Sequence, residues 1–174
     1  MDESVLQSFP PIVDERTRVL IVGSMPGSAS LQAQRYYAFP RNHFWRLMYG
    51  LWDEPYESDY AFGLQMLARR GVGLWDVLAS CRRPGSLDQH ITDAAPNDFG
   101  CLFERYSHIR YIGFNGQTAY TAFKRDVGFR FSQITDYAVL PSSSPANTMR
   151  FERKLEQWRI IRQFVEAAGG NEQQ

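Results

Sequence analysis

The order of short apolar runs and amphipathic segments limits the fold of this chain more than any other feature of its sequence. The run Val19-Leu20-Ile21-Val22 is β-branched, apolar and followed by glycine, which is typical of a buried parallel strand. Three further runs of similar character predict strands over residues 73–77, 109–114 and 137–140. Helical patterns lie between and after these runs, so strands and helices are expected to alternate.

The helical segments are recognised by the spacing of their apolar residues. Phe44, Leu47, Met48 and Leu51 fall at i, i+3, i+4 and i+7, which is one face of a helix. A second helix is expected over about 60–70, with Gly71 as its stop. Others are expected from an Asn97 cap to about residue 106, over 117–124, and along Phe151, Leu155, Trp158, Ile161 and Val165. The alternation predicts an α/β fold, a three-layer α/β/α sandwich around a mostly parallel four-stranded sheet.

Length and composition indicate an ordinary globular protein. With 174 residues, 44% hydrophobic and 22% charged, the chain is expected to form a single domain over 1–174 with its core at about 15–168. No apolar run approaches the roughly 20 residues that span a bilayer. The first four residues lack the basic and apolar regions of a signal peptide. We therefore expect a cytoplasmic protein without membrane contact, and a monomer.

Cysteine, histidine and charge limit the cofactors and partners. Cys81 and Cys101 are too few for an iron–sulfur cluster, and the three histidines show no metal spacing, so we expect no metal and no cofactor. The formal net charge is zero, which argues against a nonspecific nucleic-acid coat protein. Local basic groups at 69–70, 82–83 and 150–154 are candidates for phosphate contacts, although a solvated surface is the favoured explanation for any one of them.

The polar and glycine-rich segments follow the ends of the predicted strands. They are the segment 23–30 after the first strand, Asp76 after the second, Asn115-Gly116 after the third and the loop 141–147 after the fourth. In open α/β sheets, ligands bind beyond the carboxyl ends of the strands. The four segments therefore predict one composite site.

Each piece also has a structural explanation. The turn Gly23-Ser24-Met25-Pro26-Gly27 is neither a dinucleotide fingerprint nor a P-loop, and alone it is a tight strand-to-helix turn. Asn42 and Asn147 are both placed to cap helices. The triplet Ser142-Ser143-Ser144 is compatible with an ordinary polar turn and lacks the Gly-x-Ser-x-Gly of a hydrolase elbow. The rings of Tyr36, Tyr37 and Phe39 belong either to the core or to a loop that Pro40 holds extended at the mouth of the sheet.

Six segments, in order, resemble the uracil-DNA glycosylase superfamily, and most closely its hypoxanthine-DNA glycosylase branch. They are Gly23-Ser24-Met25-Pro26-Gly27-Ser28, Tyr37-Ala38-Phe39-Pro40-Arg41-Asn42-His43-Phe44-Trp45, Leu74-Trp75-Asp76-Val77, Arg83-Pro84-Gly85-Ser86-Leu87-Asp88, Phe114-Asn115-Gly116 and Pro141-Ser142-Ser143-Ser144-Pro145-Ala146-Asn147. Any one segment is weak, but the ordered set covers nearly the whole chain.

The chain departs from other branches of this family at two sites. Met25 stands where mismatch-specific relatives carry a water-positioning Asn, and no acidic residue matches the one that other branches have near this turn. Leu140 stands where classical uracil enzymes have His. Relatives also often show His at the position of Phe39. The resemblance supplies a replacement for the missing groups, the Asn of the Pro-x-Asn-x-Phe-Trp motif, which is Asn42 here.

The resemblance implies a DNA repair enzyme that flips hypoxanthine out of DNA and hydrolyses its N-glycosidic bond. Because no lysine is placed for Schiff-base chemistry, we expect it to be monofunctional. Asn42 would be catalytic and would hold the water. Tyr37 would stack on the base, and Asn115 would read its edge, a carbonyl acceptor beside an N–H donor. The implied base-binding set is Tyr37, Phe39, Asn115, Met25, Gly23 and Ser24. The implied DNA-binding set is Gly27, Ser28, Pro141, Ser142, Ser143, Ser144, Pro145, Ala146 and Asn147.

Two other functions fit the same residues. A uracil or mismatch glycosylase would use the same asparagine, because uracil presents the same edge as hypoxanthine. A non-catalytic module that binds nucleotides or nucleic acid agrees with the zero net charge and with Met25 and Leu140. The partner expected under the first two functions is single- or double-stranded DNA that contains a damaged base.

Overall fold

A computed structural model describes residues 4–170 and contains seven strands and six helices within that range. The strands are β1 Leu6–Gln7, β2 Val19–Gly23, β3 Val72–Asp76, β4 Leu78–Arg82, β5 Thr92–Pro96, β6 Tyr111–Asn115 and β7 Asp136–Leu140. The helices are α1 Ser28–Ala33, α2 Phe44–Leu51, α3 Tyr60–Arg70, α4 Phe99–Arg105, α5 Gln117–Asp126 and α6 Phe151–Gly170, with a 3-10 turn at Asp88–His90.

The central sheet has four parallel strands in the order β3-β2-β6-β7. These are the four strands that the apolar runs predict, each within two residues of the expected bounds. Helices cover both faces, so the predicted three-layer α/β/α fold is confirmed. All the carboxyl ends meet at one edge, where Asp76 pairs with Gly23 and Asn115 pairs with Leu140.

Two hydrophobic cores flank the sheet because successive strand residues point to opposite faces. Val19 and Ile21 pack on one face with residues of α2, α3 and α6, among them the fully buried Phe44 and Trp158. Leu20 and Val22 pack on the other face with residues of α4 and α5. Both faces of β2 are therefore buried, which explains its uninterrupted apolar sequence.

A second, antiparallel sheet of three strands in the order β1-β4-β5 is not anticipated by the sequence. The five residues of β5 are all exposed, so they carry no apolar signal. The predicted cap of α4 is wrong by one residue. Asp98 is the N-cap and accepts from the Cys101 N–H, whereas the Asn97 amide donates to the Asp76 carbonyl at 2.8 Å.

The C-terminal helix extends further than the sequence suggests. The sequence suggests fraying in the first few residues and from Gly169 onward, but α6 continues through Gly169 to Gly170. Residues 1–3 and 171–174 lie outside the described part of the chain. Among the helices within residues 4–170, none combines the length and apolar character needed to cross a bilayer.

Candidate active site

One cavity of about 690 Å³ opens at the carboxyl ends of the four parallel strands. Its volume lies within the 300–1,000 Å³ that is usual for small-ligand pockets. The cavity brings together residues from all four segments that the sequence places after the strands. Of the predicted site residues, those lining it are Gly23, Ser24, Met25, Gly27, Ser28, Tyr37, Phe39, Asn42, Asn115, Ser142, Ser143, Ser144, Pro145 and Ala146. Pro141 and Asn147 lie beyond the lining.

Asn42 lines the cavity and lies one residue before His43, which is the N-cap of α2. Its Oδ1 accepts the Phe44 N–H at 2.9 Å, so the amide satisfies a donor of the first helical turn, but the predicted cap position is wrong by one residue. The oxygen keeps a second lone pair, and the NH₂ group is a donor. The Asn42 N–H donates to the Phe39 carbonyl at 2.9 Å, which closes a turn around Pro40. The expectation of an extended chain at Pro40 is therefore wrong, because proline favours the second position of such a turn.

Tyr37 adopts an unusual backbone conformation beside Asn42. Its φ of 54° lies in the left-handed region, which costs a non-glycine residue about 1–3 kcal/mol. Hydrogen bonds hold both neighbours: Trp45 Nε1 donates to the Tyr36 carbonyl, and the Ala38 N–H donates to Ser30 Oγ. The Tyr37 ring stacks on Phe44 with centroids 4.1 Å apart. The segment thus fixes the position of a cavity-lining ring.

The three aromatic residues of this segment differ in their environment. Tyr36 is buried in the core, where its hydroxyl donates to the Pro10 carbonyl at 2.8 Å, and it also contributes to the lining of the cavity. Phe39 is 39% exposed at the rim of the cavity, with the Arg41 guanidinium 5.4 Å from its ring centroid. Tyr37 is half-buried, between the buried Tyr36 and the exposed Phe39.

Asn115 is held by the loop that follows β7. Its Nδ2 donates to Ser143 Oγ and its Oδ1 accepts the Ser143 N–H, both at 2.9 Å. A further hydrogen bond joins it to the Tyr37 hydroxyl, and this bond opposes the rise that burial imposes on the pKa of Tyr37. The Asn115 oxygen therefore keeps one lone pair for a ligand. Its NH₂ group can serve a ligand only by releasing one of these partners.

The loop 141–147 combines buried and exposed residues. Ser143 is 1% exposed, and its carbonyl accepts the His43 N–H at 2.9 Å, so Ser143 connects β6, the loop and the start of α2. We assign it to positioning this loop, in contrast to the expected DNA contact. Pro145 and Ala146 are exposed on the loop.

Two of the residues considered as candidates for phosphate contacts are also buried. Lys154 of α6 lies beneath the loop and donates to the Ser144 carbonyl at 3.2 Å, and burial lowers its pKa. The Arg83 side chain is fully buried and donates to the Pro26 and Gly85 carbonyls. Neither residue belongs to a basic surface, so the phosphate contact and the solvated surface are both wrong for Arg83 and Lys154.

The first turn is covered by the segment that follows β4. The Ser28 N–H donates to Ser86 Oγ at 2.9 Å, and the Ser24 hydroxyl donates to the Asp88 carboxylate. A phosphate that used the Ser28 N–H would therefore have to displace Ser86. Met25 is 7% exposed and packs in the core on the opposite face from Tyr37.

Two acidic residues, Asp76 and Asp88, line the cavity. Neither stands in the first turn, where other branches have their acidic residue, but both lie beside that turn in space. Burial raises the pKa of Asp76 to about 7, the Asp88 charge adds to the rise, and Arg83 opposes it. The position of Asp76 directly after a predicted strand pointed to the site, whereas nothing in the spacing of the sequence placed Asp88 there.

Comparisons with known proteins agree with this architecture. A family model described as the uracil DNA glycosylase superfamily matches residues 10–167. The chain is similar to a Methanosarcina barkeri protein named hypoxanthine DNA glycosylase, with 35% identity over 155 residues that cover 87% of this chain and 94% of the relative. A Methanosarcina acetivorans protein of the same name is 36% identical over 160 residues, covering 90% and 98%. A solution NMR structure of a Methanosarcina acetivorans protein proposed to be a uracil DNA glycosylase superposes with a TM-score of 0.77 at 36% identity, covering 94% of this chain and 99% of that chain.

Proposed function

The chain belongs to the uracil DNA glycosylase superfamily, and from that membership we propose that it excises hypoxanthine from DNA by hydrolysing the N-glycosidic bond. The observation that carries this proposal is the meeting of Asn42, Tyr37 and Asn115 at one cavity beyond the strand ends. A base inside a duplex is out of reach, so the nucleotide is flipped out at a cost of a few kcal/mol.

Asn42 positions the attacking water. Its Oδ1 has one lone pair engaged by the Phe44 N–H, and the second accepts from the water. That hydrogen bond fixes the orientation of the amide, because it joins Asn42 to the first residue of α2. An amide is a weak base, which suffices when the glycosidic bond is nearly broken before water attacks.

Tyr37 and Asn115 hold the flipped base. Stacking on an aromatic ring contributes about 1–3 kcal/mol per base, and Tyr37 is braced from behind by Phe44. The free lone pair on the Asn115 oxygen accepts the N1–H of hypoxanthine. Adenine has an acceptor at N1, so a buried acceptor would face another acceptor, at a cost of about 1–3 kcal/mol.

The loop 141–147 supports the opened duplex. Its exposed residues Pro145 and Ala146 enter the space that the flipped nucleotide leaves, while Ser142 and Ser144 face the cavity. Ser143 and Lys154 hold the loop from below. Phe39 and Arg41 form the opposite rim, where an exposed ring and a cation are suited to a neighbouring base and its phosphate.

Uracil is the second candidate substrate, because it presents the same acceptor and N–H donor to Asn115. The relatives named for hypoxanthine and the cavity of about 690 Å³, which has room for two fused rings, favour the purine. Pocket depth, and not the Asn115 amide, must separate the two bases.

A base-release assay tests the proposal. Oligonucleotides that contain deoxyinosine, deoxyxanthosine, deoxyuridine or only normal bases are incubated side by side, and abasic sites are revealed by alkali. We expect the fastest release from deoxyinosine and none from normal DNA. Faster release of uracil would favour the second candidate. Tight binding to an abasic-site analogue without release of any base would favour a non-catalytic binding module.

A further inference from the structure

Asp76 and Asn115 stand on either side of Gly23 at the ends of three adjacent strands. Asp76 pairs with Gly23, and the pairing of Val22 with Phe114 puts Asn115 at the same level. Neighbouring strands are about 4.8 Å apart, so the two backbones lie about 10 Å from each other with glycine between them. Residues at one level of a parallel sheet point to one face, and both side chains line the cavity.

The carboxyl group of Asp76 leans over Gly23. A Cβ atom at position 23 would lie 2.5 Å from Asp76 Oδ1 and 3.1 Å from the Tyr37 hydroxyl oxygen. The absence of a side chain at this glycine therefore gives the carboxyl group its place at the floor of the cavity. Asp76 itself is 4% exposed, and aspartate is rarely buried to this extent unless it is paired.

The charged and titratable groups around Asp76 come from several segments. Asp88 of the 3-10 turn raises its pKa by repulsion, and Arg83 after β4 lowers it. Tyr36 and Tyr37 face it from the segment before α2, and the charge of Asp76 contributes to their raised pKa values. With burial as the largest cause, the balance leaves the pKa of Asp76 at about 7, so that a substantial fraction of the acid is protonated near neutral pH.

We propose that Asp76 is a general acid that donates its proton to N7 of hypoxanthine as the base departs. This inference rests on the proposed glycosylase function. Asn115 takes the six-membered ring at its N1 edge, so the five-membered ring lies toward the opposite side of Gly23, where Asp76 stands. Proton transfer from a group whose pKa is near the operating pH is the efficient arrangement for general acid catalysis.

The step balances as a hydrolysis. The C1′–N9 bond breaks and its electron pair stays with the base, while the Asp76 O–H proton moves to N7 and gives neutral hypoxanthine. A water oxygen, oriented by Asn42, forms the new bond to C1′. Its released proton passes to the Asp76 carboxylate or to solvent, which restores the acid. Uracil has no second ring, so its release does not use this proton.

The pH dependence of single-turnover hypoxanthine release tests the inference, with Asp76→Asn and Asp88→Asn as variants. For the unaltered protein we expect the rate to fall about tenfold per pH unit above about 7, since only the protonated acid is active. Asp76→Asn should be at least about 100-fold slower at acidic pH and should lack this fall. Asp88→Asn should move the fall to lower pH, because it removes the charge that raises the pKa of Asp76.

The possible results separate the general-acid role of Asp76 from the proposed release of hypoxanthine. Release of hypoxanthine by the unaltered protein with no fall across roughly pH 5.5 to 8.5 would overturn the role of Asp76. If Asp76 were purely structural, Asp76→Asn would release hypoxanthine more slowly by the same factor at every pH, and the rate would still fall at alkaline pH. That result would also overturn the general-acid role. Absence of hypoxanthine release from the unaltered protein would overturn the proposed function itself. If Asp76→Asn fails to fold, the displacement of the fall in Asp88→Asn decides the question.

Discussion

Asn115 and Ser143 are joined by two hydrogen bonds of 2.9 Å, one in each direction: the Asn115 amide donates to Ser143 Oγ, and the Ser143 N–H donates to Asn115 Oδ1. The same serine accepts the His43 N–H, next to Asn42. The end of β6, the loop after β7 and the start of α2 are therefore one hydrogen-bonded unit. The residue that we propose to read the base is thus connected with the loop that we propose to enter the DNA stack.

Ser143→Ala tests this connection. The change removes the acceptor of one Asn115 N–H and leaves the Ser143 N–H bond intact. A hydrogen bond of this kind contributes about 0.5–1.5 kcal/mol, so we expect up to about tenfold slower hypoxanthine release and weaker discrimination against adenine. Single-turnover rates on the two substrates measure both effects.

Ser142→Ala is the matched control for that variant. Ser142 Oγ accepts the Ser144 N–H and has no bond to Asn115 in the described structure, so base discrimination should be preserved. Asn115→Ala should impair rate and discrimination together. An unchanged preference of Asn115→Ala for inosine over adenine would contradict the reading role.

The central sheet was predictable because buried parallel strands leave a strong mark in the sequence. β2 is buried at all five positions and reads as an uninterrupted apolar run. The helix over Phe44–Leu51 was equally clear, since its buried residues recur at helical spacing. By contrast, β5 is exposed throughout, and its pairing with β4 follows from the backbone and not from an apolar pattern.

For the site, the order of the strands predicted which loops meet at the cavity. Strand ends meet in space, so the loops after β2, β3, β6 and β7 could be assigned to one cavity without coordinates. The contacts between side chains within this cavity could not be predicted from strand order. Asp88 lies 12 residues beyond Asp76, and its position beside Ser24 depends on the antiparallel sheet that the sequence does not indicate. Arg83, which follows β4 of the same antiparallel sheet, is buried where it donates to the Pro26 carbonyl, and the sequence does not indicate this position either.

Asn42→Ala should separate catalysis from capping. Loss of a positioned water-holding group is expected to lower the hypoxanthine release rate at least about 100-fold. The Phe44 N–H also loses its cap, which costs about 0.5–2 kcal/mol of stability without unfolding the protein. Asn42→Ser preserves a capping oxygen on a shorter side chain, so it should recover stability but not rate. A near-normal rate for either variant on inosine DNA would remove Asn42 from the mechanism.

Gly23→Ala should damage the cavity floor while the fold persists. The new Cβ would meet Asp76 Oδ1 at 2.5 Å and the Tyr37 hydroxyl at 3.1 Å, so both side chains must move. Overpacking of this kind costs about 1–3 kcal/mol, and we expect a large loss of base release. Gly169→Ala, where no atom lies within 4 Å of the added Cβ, should be neutral or slightly stabilising. Full activity in Gly23→Ala would show that Asp76 and Tyr37 need not occupy these positions.

The enzyme should release the base without cutting the strand. Strand cleavage through a Schiff base needs an amine at C1′, and the two lysines of the sequence, Lys124 and Lys154, do not line the cavity. Lys154 is buried and bonded to the Ser144 carbonyl. Borohydride added during turnover on inosine DNA should therefore trap no covalent complex, under conditions in which a bifunctional glycosylase is trapped. A trapped band would show that an amine reaches the sugar.

Stability should depend on pH through Asp76. Its pKa is raised from 3.8 to about 7 in the folded protein, so below about pH 4 both folded and unfolded states carry the proton. As pH rises through about 4 to 7, the unfolded chain loses its proton first, and the folded state is destabilised relative to it. At about 1.4 kcal/mol per pKa unit, the loss is on the order of 4 kcal/mol at most. Asp76→Asn does not titrate, so its free energy of unfolding from urea titrations should exceed that of the unaltered protein increasingly up to about pH 7. A constant difference between the two proteins across that range would mean that Asp76 is already ionised in the folded state.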